Sequence, residues 1–119
     1  MKNVLVLGAS LSADRYSNMA MIKLKSKGFS VFSLGKRKGR VASMEIQTKQ
    51  FLIENLYAIS LYLNAANQVD YYQYIVQLKP EKVIFNPGAE NGALESLLNK
   101  HKIPFERACT LVLLSLDQL

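Results

Sequence analysis

The residue types best suited to binding a ligand follow the first apolar run of the chain. Val4-Leu5-Val6-Leu7 leads into Gly8-Ala9-Ser10, and Arg15-Tyr16-Ser17-Asn18 opens a stretch with helical spacing. A strand, a turn of small residues and a helix start form a phosphate cradle, because a ligand can approach the turn backbone and the first helical N–H groups are unpaired. We expect this corner to bind the phosphates of a nucleotide-like ligand. The alternative is a tight turn that binds nothing, since a single glycine is a weak motif.

A basic segment follows the second predicted strand and is the next candidate for ligand contact. It runs Lys36-Arg37-Lys38-Gly39-Arg40. Residues 1–49 carry ten Lys/Arg and two acids, whereas residues 50–119 carry five Lys/Arg and seven acids, and the whole chain has a net charge of +6. The front half of the chain therefore favours an anionic partner.

Strands and helices alternate along the predicted chain. Gly28 is expected to end the first helix in a left-handed conformation, and Asn64 to cap a later helix at its N-terminus. The apolar spacing predicts strands at about 3–8, 29–34, 57–63, 82–85 and 104–108 and helices at about 16–27, 65–78 and 90–100. It also predicts a short edge strand within 41–49, a short helix at about 48–54, and a tail from 110 to 119 that is either a short helix or extended.

This alternation is typical of one α/β domain spanning residues 1–119. We expect a Rossmann-like, doubly wound and mainly parallel five-stranded sheet with helices on both faces. Ligands of such sheets bind at the carboxyl ends of the strands, near the switch in strand order. Four segments are predicted to arrive at that edge: Gly8-Ala9-Ser10, Gly35-Lys36, Leu63-Asn64 and Asn86-Pro87-Gly88.

The residues at this edge narrow the choice of nucleotide. The NAD fingerprint has three spaced glycines and an acid at the end of the second strand. Here one glycine, Gly8, follows the first strand, and Gly35-Lys36-Arg37-Lys38 stands where the acid would be. Cations at that place suit an additional phosphate on the ribose, which both NADP and coenzyme A carry. A P-loop is excluded, because no Gly-Lys-Ser/Thr follows the first strand.

Several segments together resemble a known family over nearly the whole chain. The segments are Gly8-Ala9-Ser10, Arg15-Tyr16-Ser17-Asn18-Met19-Ala20, Gly28 with Val31, Leu61-Tyr62-Leu63-Asn64, and Phe85-Asn86-Pro87-Gly88-Ala89-Glu90-Asn91. In this order they resemble the small stand-alone CoA-binding-domain proteins, which are similar to the N-terminal domain of the succinyl-CoA synthetase alpha subunit. The resemblance implies a Rossmann-like fold that binds CoA through its ADP and pyrophosphate part.

The resemblance also implies a set of ligand-binding residues. Gly8, Ala9 and Ser10 would line the first turn, and Arg15, Tyr16 and Ser17 would face the phosphates. Lys36 would lie beside the adenosine end, Asn64 would meet the ligand where it crosses the edge, and Pro87 and Gly88 would close the far side. The sequence departs from the family in two places: Leu34-Gly35 precedes Lys36 where the family usually has Asn-Pro, and Leu63-Asn64 stands where it often has a proline.

No catalytic constellation is evident in the sequence. The single histidine, His101, has a solvated context, and the single cysteine, Cys109, reads as a packing residue. We therefore expect a non-catalytic module that binds CoA or an acyl-CoA. The alternative is an NADP-binding oxidoreductase-type or regulatory domain.

The expected partners and location follow from composition. The basic residues are not interleaved with aromatic ones, so nucleic acid is not expected as a partner. No apolar run approaches the roughly 18 residues of a membrane span, and a single cysteine fits a reducing compartment, so we expect a cytoplasmic protein without membrane contact. Tyr71, Tyr72 and Tyr74 cannot all face the core, which leaves a homodimer open. Binding to a separate enzyme subunit is the alternative to a homodimer.

Overall fold

A parallel sheet with helices on both sides forms the framework of the computed structural model, which describes residues 2–119. The strands are β1 (Asn3–Ala9), β2 (Ser30–Gly35), β3 (Gly39–Val41), β4 (Met44–Ile46), β5 (Leu56–Leu61), β6 (Lys82–Phe85) and β7 (Phe105–Arg107). The helices are α1 (Tyr16–Ser26), α2 (Ala65–Gln68), α3 (Tyr72–Leu78), α4 (Gly92–Lys100) and α5 (Thr110–Ser115), with a 3₁₀ turn at Val69–Tyr71 between α2 and α3.

Five strands form the main sheet in the order β2-β1-β5-β6-β7, and every neighbouring pair is parallel. This confirms the predicted Rossmann-like α/β fold. Val4, Leu5, Val6 and Leu7 of the interior strand β1 are fully buried, so both faces of the sheet are covered there. A continuous apolar run is the expected sequence of such a strand, because consecutive side chains point to opposite faces.

The helices divide between the two faces of the sheet. On one face, Met21 and Leu24 of α1 and Leu114 of α5 pack in one cluster with Val4 and Val6. On the other, a second cluster joins side chains of β1 with those of α3 and α4; it includes Leu5, Leu7, Ile75, Leu94 and Leu98. Burial of apolar surface in these two layers supplies the main driving force for folding.

Both predicted caps are confirmed. Gly28 has a φ of 91°, and the N–H groups of Gly28 and Phe29 donate to the carbonyls of Lys25 and Leu24, each at 3.1 Å. These two bonds form the Schellman pattern that ends a helix. At the start of α2, Asn64 Oδ1 accepts a hydrogen bond from the N–H of Asn67 at 3.0 Å.

The predicted helix at 48–54 is wrong. This segment is irregular, and it packs Phe51 and Ile53 against the core on the side of α3. The Tyr74 hydroxyl donates to the carbonyl of Phe51 at 2.6 Å and approaches its N–H at 3.4 Å. A distant side chain therefore supplies backbone hydrogen bonds that a helix would have supplied locally.

Two further expectations need correction. The edge strand expected within 41–49 is an antiparallel hairpin of β3 and β4, and Gln47 then forms a single parallel bridge with Leu34 of β2. The helix expected at 65–78 is interrupted by the 3₁₀ turn. α3 ends before Pro80, as the Lys-Pro pair predicted. Lys79 itself has a left-handed conformation, which the sequence did not predict.

The hairpin turn carries backbone strain. Val41 pairs with Met44, so Ala42 and Ser43 form a two-residue turn, with φ values of 48° and 69°. A type I′ turn needs positive φ at both positions, which Asn-Gly adopts far more readily than Ala-Ser. The strain matters here because β3 begins within the basic segment, at Gly39.

We expect Ala42→Asn combined with Ser43→Gly to raise the free energy of unfolding by about 1 kcal/mol, because it relieves the left-handed penalty at both positions. Urea denaturation followed by circular dichroism measures the change. Ser43→Val is the opposing control: a β-branched side chain at positive φ should lower the free energy of unfolding. Equal stabilities for the two variants would contradict this account of the turn.

Candidate functional site

The switch in strand order lies between β1 and β5. β1 lies between β2 and β5. The chain leaves β1 towards β2 and leaves β5 towards β6, in the opposite direction, so the loops after β1 and β5 diverge at this point of the carboxyl edge. This is where open α/β sheets leave a crevice for ligands.

Gly8 lies at the bottom of this crevice. Its φ is 97°, and a Cβ built on it would lie 3.1 Å from the backbone N of Leu63 and 3.1 Å from the carbonyl carbon of Tyr62. Only glycine allows the backbone to pass so close to the loop after β5. The pairing with β2 also shifts register between Leu7 and Ala9, so the strand bends where the crevice begins.

The turn after β1 leads into the start of α1. Asn18 Nδ2 donates to the Ser10 carbonyl at 2.9 Å, which ties the turn to the first turn of the helix. Arg15 is the N-cap residue, and its side chain does not cap the helix. The first hydrogen bond of the helix runs from the Met19 N–H to the Arg15 carbonyl, so the N–H groups of residues 16–18 have no partner within the helix. Unpaired N–H groups and the positive end of the helix dipole both favour an anion here.

The side chains around this corner differ in exposure. Arg15 is exposed and Tyr16 is 69% exposed, so both are free to meet a ligand, whereas Ser17 is only 4% exposed. Ser17 therefore contributes to this corner through its backbone N–H in the first helical turn rather than through its side chain. Ala9 is also buried, and Ser10 is half-buried, with its Oγ accepting from the Ser12 N–H at 3.1 Å.

The basic segment packs directly against the turn after β1. A Cβ on Gly39 would lie 2.5 Å from a methyl carbon of Leu11, and a Cβ on Gly35 would lie 2.3 Å from the carbonyl oxygen of Ala9. Gly35 is thus needed for the close approach to the Ala9 backbone, whereas Gly39 meets only the flexible end of the Leu11 side chain, which can shift. Residues 36–38 lie between the two glycines and are exposed. These contacts therefore bring them next to the turn after β1.

The cations of the segment are not equivalent. Within residues 2–119 no acidic side chain forms an ion pair with Lys36, Arg37 or Lys38. Arg40, by contrast, pairs with Glu45 across the hairpin at 3.1 Å. The three residues nearest the end of β2 therefore keep their positive charge available for an anion.

On the far side of the crevice, residues 62–64 and 86–89 are uncharged, and the Glu90 carboxylate accepts a hydrogen bond from the Gly88 N–H at 3.0 Å. Leu63 and Asn64 follow β5, and Pro87 and Gly88, both exposed, follow β6. The side chain of Asn64 caps α2, so its Oδ1 is already engaged.

Asn86 is a site residue that the sequence analysis did not select. It is 1% exposed, its Nδ2 donates to the Leu61 carbonyl at 3.0 Å and to Ser60 Oγ at 3.1 Å, and its Oδ1 accepts from the Thr110 N–H at 2.8 Å. One side chain thus joins β5, β6 and the start of α5 directly beneath the edge. The Asn-Pro-Gly pattern indicated only a turn, and it gave no sign that the asparagine is buried.

Tyr62 is a second residue that sequence reasoning missed. Its hydroxyl is buried without a protein hydrogen-bond partner, because the neighbouring hydroxyls of Ser60 and Thr110 bond to each other at 2.7 Å. Burial raises the pKa of Tyr62 above its usual 10.0, and the proximity of Ser60 and Thr110 only partly offsets this. Tyr74 also has a raised pKa, mainly from burial, but its hydroxyl donates to the Phe51 carbonyl.

Two concavities of the described surface lie outside the corner at Gly8. One of about 480 Å³ lies at the opposite edge, between the start of β5 and the end of α3, and includes Glu54, Glu81 and Lys79. Two carboxylates against one ammonium group make this concavity less favourable for an anionic ligand than the basic segment. A smaller one of about 310 Å³ runs along the hairpin and includes Lys38 and Arg40, next to the basic segment. His101, at the end of α4, is exposed, and Cys109, just before α5, is half-buried.

The fold and this edge define a small Rossmann-like α/β protein with a candidate anion site at its switch point. The profile of the CoA binding domain family matches residues 2–115. The chain therefore belongs to the CoA binding domain family, as the resemblance in the sequence indicated.

Solved structures are similar to this chain over nearly its whole length. An uncharacterized protein of known crystal structure is 41% identical, with a TM-score of 0.96 over 100% of this chain and 98% of that chain. A Thermus thermophilus protein (18% identity, TM-score 0.84, covering 99% and 90% of the two chains) and a conserved hypothetical protein from Pyrococcus furiosus (20% identity, TM-score 0.78, covering 94% and 99%) share the fold. No curated protein matches the sequence significantly. Among the described residues, none of the helices is long and apolar enough to span a membrane.

We expect Gly8→Ala to lower the free energy of unfolding by about 2–4 kcal/mol, because it combines a left-handed backbone with a clash against the backbone of Tyr62 and Leu63. Gly28→Ala is the matched control: its φ is 91°, but nothing lies within 4 Å of the added Cβ, so only about 1 kcal/mol should be lost. Urea denaturation compares the two. Equal losses would show that the loops do not depend on their contact at Gly8.

We expect Tyr62→Phe to leave the free energy of unfolding unchanged or to raise it by up to about 1 kcal/mol, because it removes a buried hydroxyl that has no partner. Tyr74→Phe should lower it by about 1 kcal/mol, because it removes the bond to the Phe51 carbonyl. Denaturation at neutral pH tests this contrast. A loss for Tyr62→Phe as large as that for Tyr74→Phe would contradict it.

The raised pKa values of Tyr62 and Tyr74 predict that the protein loses stability at alkaline pH. Both pKa values are raised in the folded protein, so above pH 10.0 the unfolded chain releases these protons first. The stability they contribute is complete below that pH and is lost as the pH rises through the folded-state pKa. Tyr62→Phe should make this decline shallower, which denaturation at a series of pH values between about 9 and 11 measures.

Proposed function

We propose that the protein binds CoA or an acyl-CoA at the carboxyl edge of its sheet, through the ADP and pyrophosphate part, and acts as a non-catalytic binding module. Membership of the CoA binding domain family supports the choice of ligand. The single observation that carries the proposal is the position of the unpaired cations at 36–38: they lie between Gly35 and Gly39, which pack against Ala9 and Leu11 of the turn after β1. These features suit the several phosphates of one ligand.

The residues present fit such a ligand. The left-handed Gly8 lets the end of β1 lie close to the loop after β5, and the first-turn N–H groups of α1 are available to a pyrophosphate, with Arg15 exposed beside them. Lys36 lies at the end of β2, the position that suits a phosphate on the adenosine ribose. Asn64, Pro87 and Gly88 offer an uncharged wall on the other side of the switch point.

The non-catalytic role is supported by the placement of the nucleophilic and basic side chains. His101 lies at the end of α4, which returns to the opposite edge of the sheet, whereas Cys109 lies at the carboxyl edge after β7. The two are therefore not placed to act as a nucleophile and its base. NADP is the competing ligand, since its ribose phosphate would meet the same cations, and the titration below distinguishes the two.

We expect CoA to remain bound in native mass spectra of the purified protein, or to bind more tightly than NADP in calorimetric titrations. Lys36→Gln and Arg15→Gln should each weaken CoA binding about tenfold, because each removes a charge-assisted contact to phosphate. Lys100→Gln is the matched control, since this exposed lysine ends α4 at the opposite edge. With dephospho-CoA as the ligand, Lys36→Gln should have little effect.

Three results would contradict the proposal. The first is a folded wild-type protein that binds neither CoA nor acyl-CoA, and the second is NADP binding more tightly than CoA. The third is a loss of affinity in Lys100→Gln as large as that in Lys36→Gln, which would indicate general attraction by net charge rather than a site.

A further inference from the structure

One buried amide joins the two loops on the uncharged side of the crevice. Gln68, at the end of α2, has no exposed surface, and its Nε2 donates to the Leu63 carbonyl at 2.8 Å and to the Ala89 carbonyl at 2.7 Å. Leu63 lies in the loop after β5 and Ala89 in the loop after β6. A single side chain thus sets the separation of the two loops.

The orientation of this amide is determined by the cap of α4. Asn91 Oδ1 accepts from the N–H groups of Ala93 and Leu94 at 3.1 and 3.3 Å, so its Nδ2 must point away from the helix. That Nδ2 donates to Gln68 Oε1 at 2.8 Å and to the Tyr72 hydroxyl at 2.9 Å. Since Oε1 of Gln68 is held by Asn91, its Nε2 is directed at the two loop carbonyls.

The hydrogen bonds of Gln68 are not needed to fill the space between the two loops. A buried amide must have its hydrogen bonds satisfied, and an apolar side chain would fill the same space without that need. Both N–H groups and the carbonyl oxygen of Gln68 have partners, and two of the three partners lie in loops that approach the crevice.

We infer that Gln68 is a positioning residue: it holds the loops after β5 and β6 at the spacing that admits the uncharged arm of the ligand. The inference rests on the proposed CoA function. The cations lie on the β2 side of the switch point, whereas residues 62–64 and 86–89 carry no charge. A ligand whose phosphates bind on the β1 and β2 side must therefore extend its uncharged, amide-bearing arm across these two loops.

Two ligands separate positioning from simple stability. CoA carries the arm, whereas 3′-phosphoadenosine 5′-diphosphate is the charged end alone. We expect Gln68→Met, which keeps the side-chain length without its polar atoms, to weaken CoA about tenfold and the charged fragment less than about twofold. Calorimetric titration of both ligands, with circular dichroism as a check of the fold, measures this difference.

Two further variants act on the same network. Asn91→Asp keeps the oxygen that caps α4 but loses the donor that orients Gln68, so it should selectively weaken CoA as well, to a smaller extent. It decides the question if Gln68→Met does not fold. Tyr72→Phe is the matched control, because it removes an acceptor of Asn91 that bonds to neither loop, and both affinities should stay within about twofold.

The outcomes distinguish this inference from the proposed function. Selective weakening of CoA in Gln68→Met or Asn91→Asp supports the positioning role. Equal weakening of CoA and of the charged fragment, or no weakening of either, overturns it while leaving CoA binding by the wild-type protein intact. A wild-type protein that does not bind CoA overturns the proposed function and this inference with it.

Discussion

The contact between the turn after β1 and the loop after β5 is the constraint on which the rest of the edge depends. At Gly8 these backbones lie so close that a Cβ would be 3.1 Å from the nearest backbone atoms. The contact holds the two diverging connections together at the switch point, and the left-handed conformation bends the end of β1. The crevice, the start of α1 and the loop after β5 all take their positions from it.

Buried polar side chains then hold the remaining loops at this edge. Asn86 joins β5, β6 and α5, and Gln68 with Asn91 joins the loops after β5 and β6 to the cap of α4. Such groups are costly to bury unless they are fully bonded, and for that reason they specify one arrangement of the loops. The main exception is Tyr62, whose hydroxyl is buried beside this network without a partner.

The positive charge of the chain is concentrated by the fold on one side of the switch point. Contacts of Leu11 with Gly39 and of Ala9 with Gly35 bring the basic segment against the phosphate cradle. The hairpin that follows neutralises Arg40 through Glu45 and leaves the cations nearer to the end of β2 unpaired. On the opposite side of the crevice, residues 62–64 and 86–89 carry no cation, and the Glu90 carboxylate accepts a hydrogen bond from the Gly88 N–H. The edge therefore has a basic side and a side without cations.

The sequence by itself determined the parallel sheet, its main helices, the caps at Gly28 and Asn64 and the place of the turn that joins β1 to α1. These features arise from apolar periodicity and from turn residues, which act over a few neighbouring positions. Only the tertiary structure decided that 48–54 is not a helix and that Gln68 and Asn86 hold the edge. Their decisive partners lie far away in the chain: 23 residues separate Phe51 from Tyr74, 21 separate Gln68 from Ala89, and 24 separate Asn86 from Thr110. No local pattern encodes such pairs, because their hydrogen bonds exist only once the strands have been brought side by side.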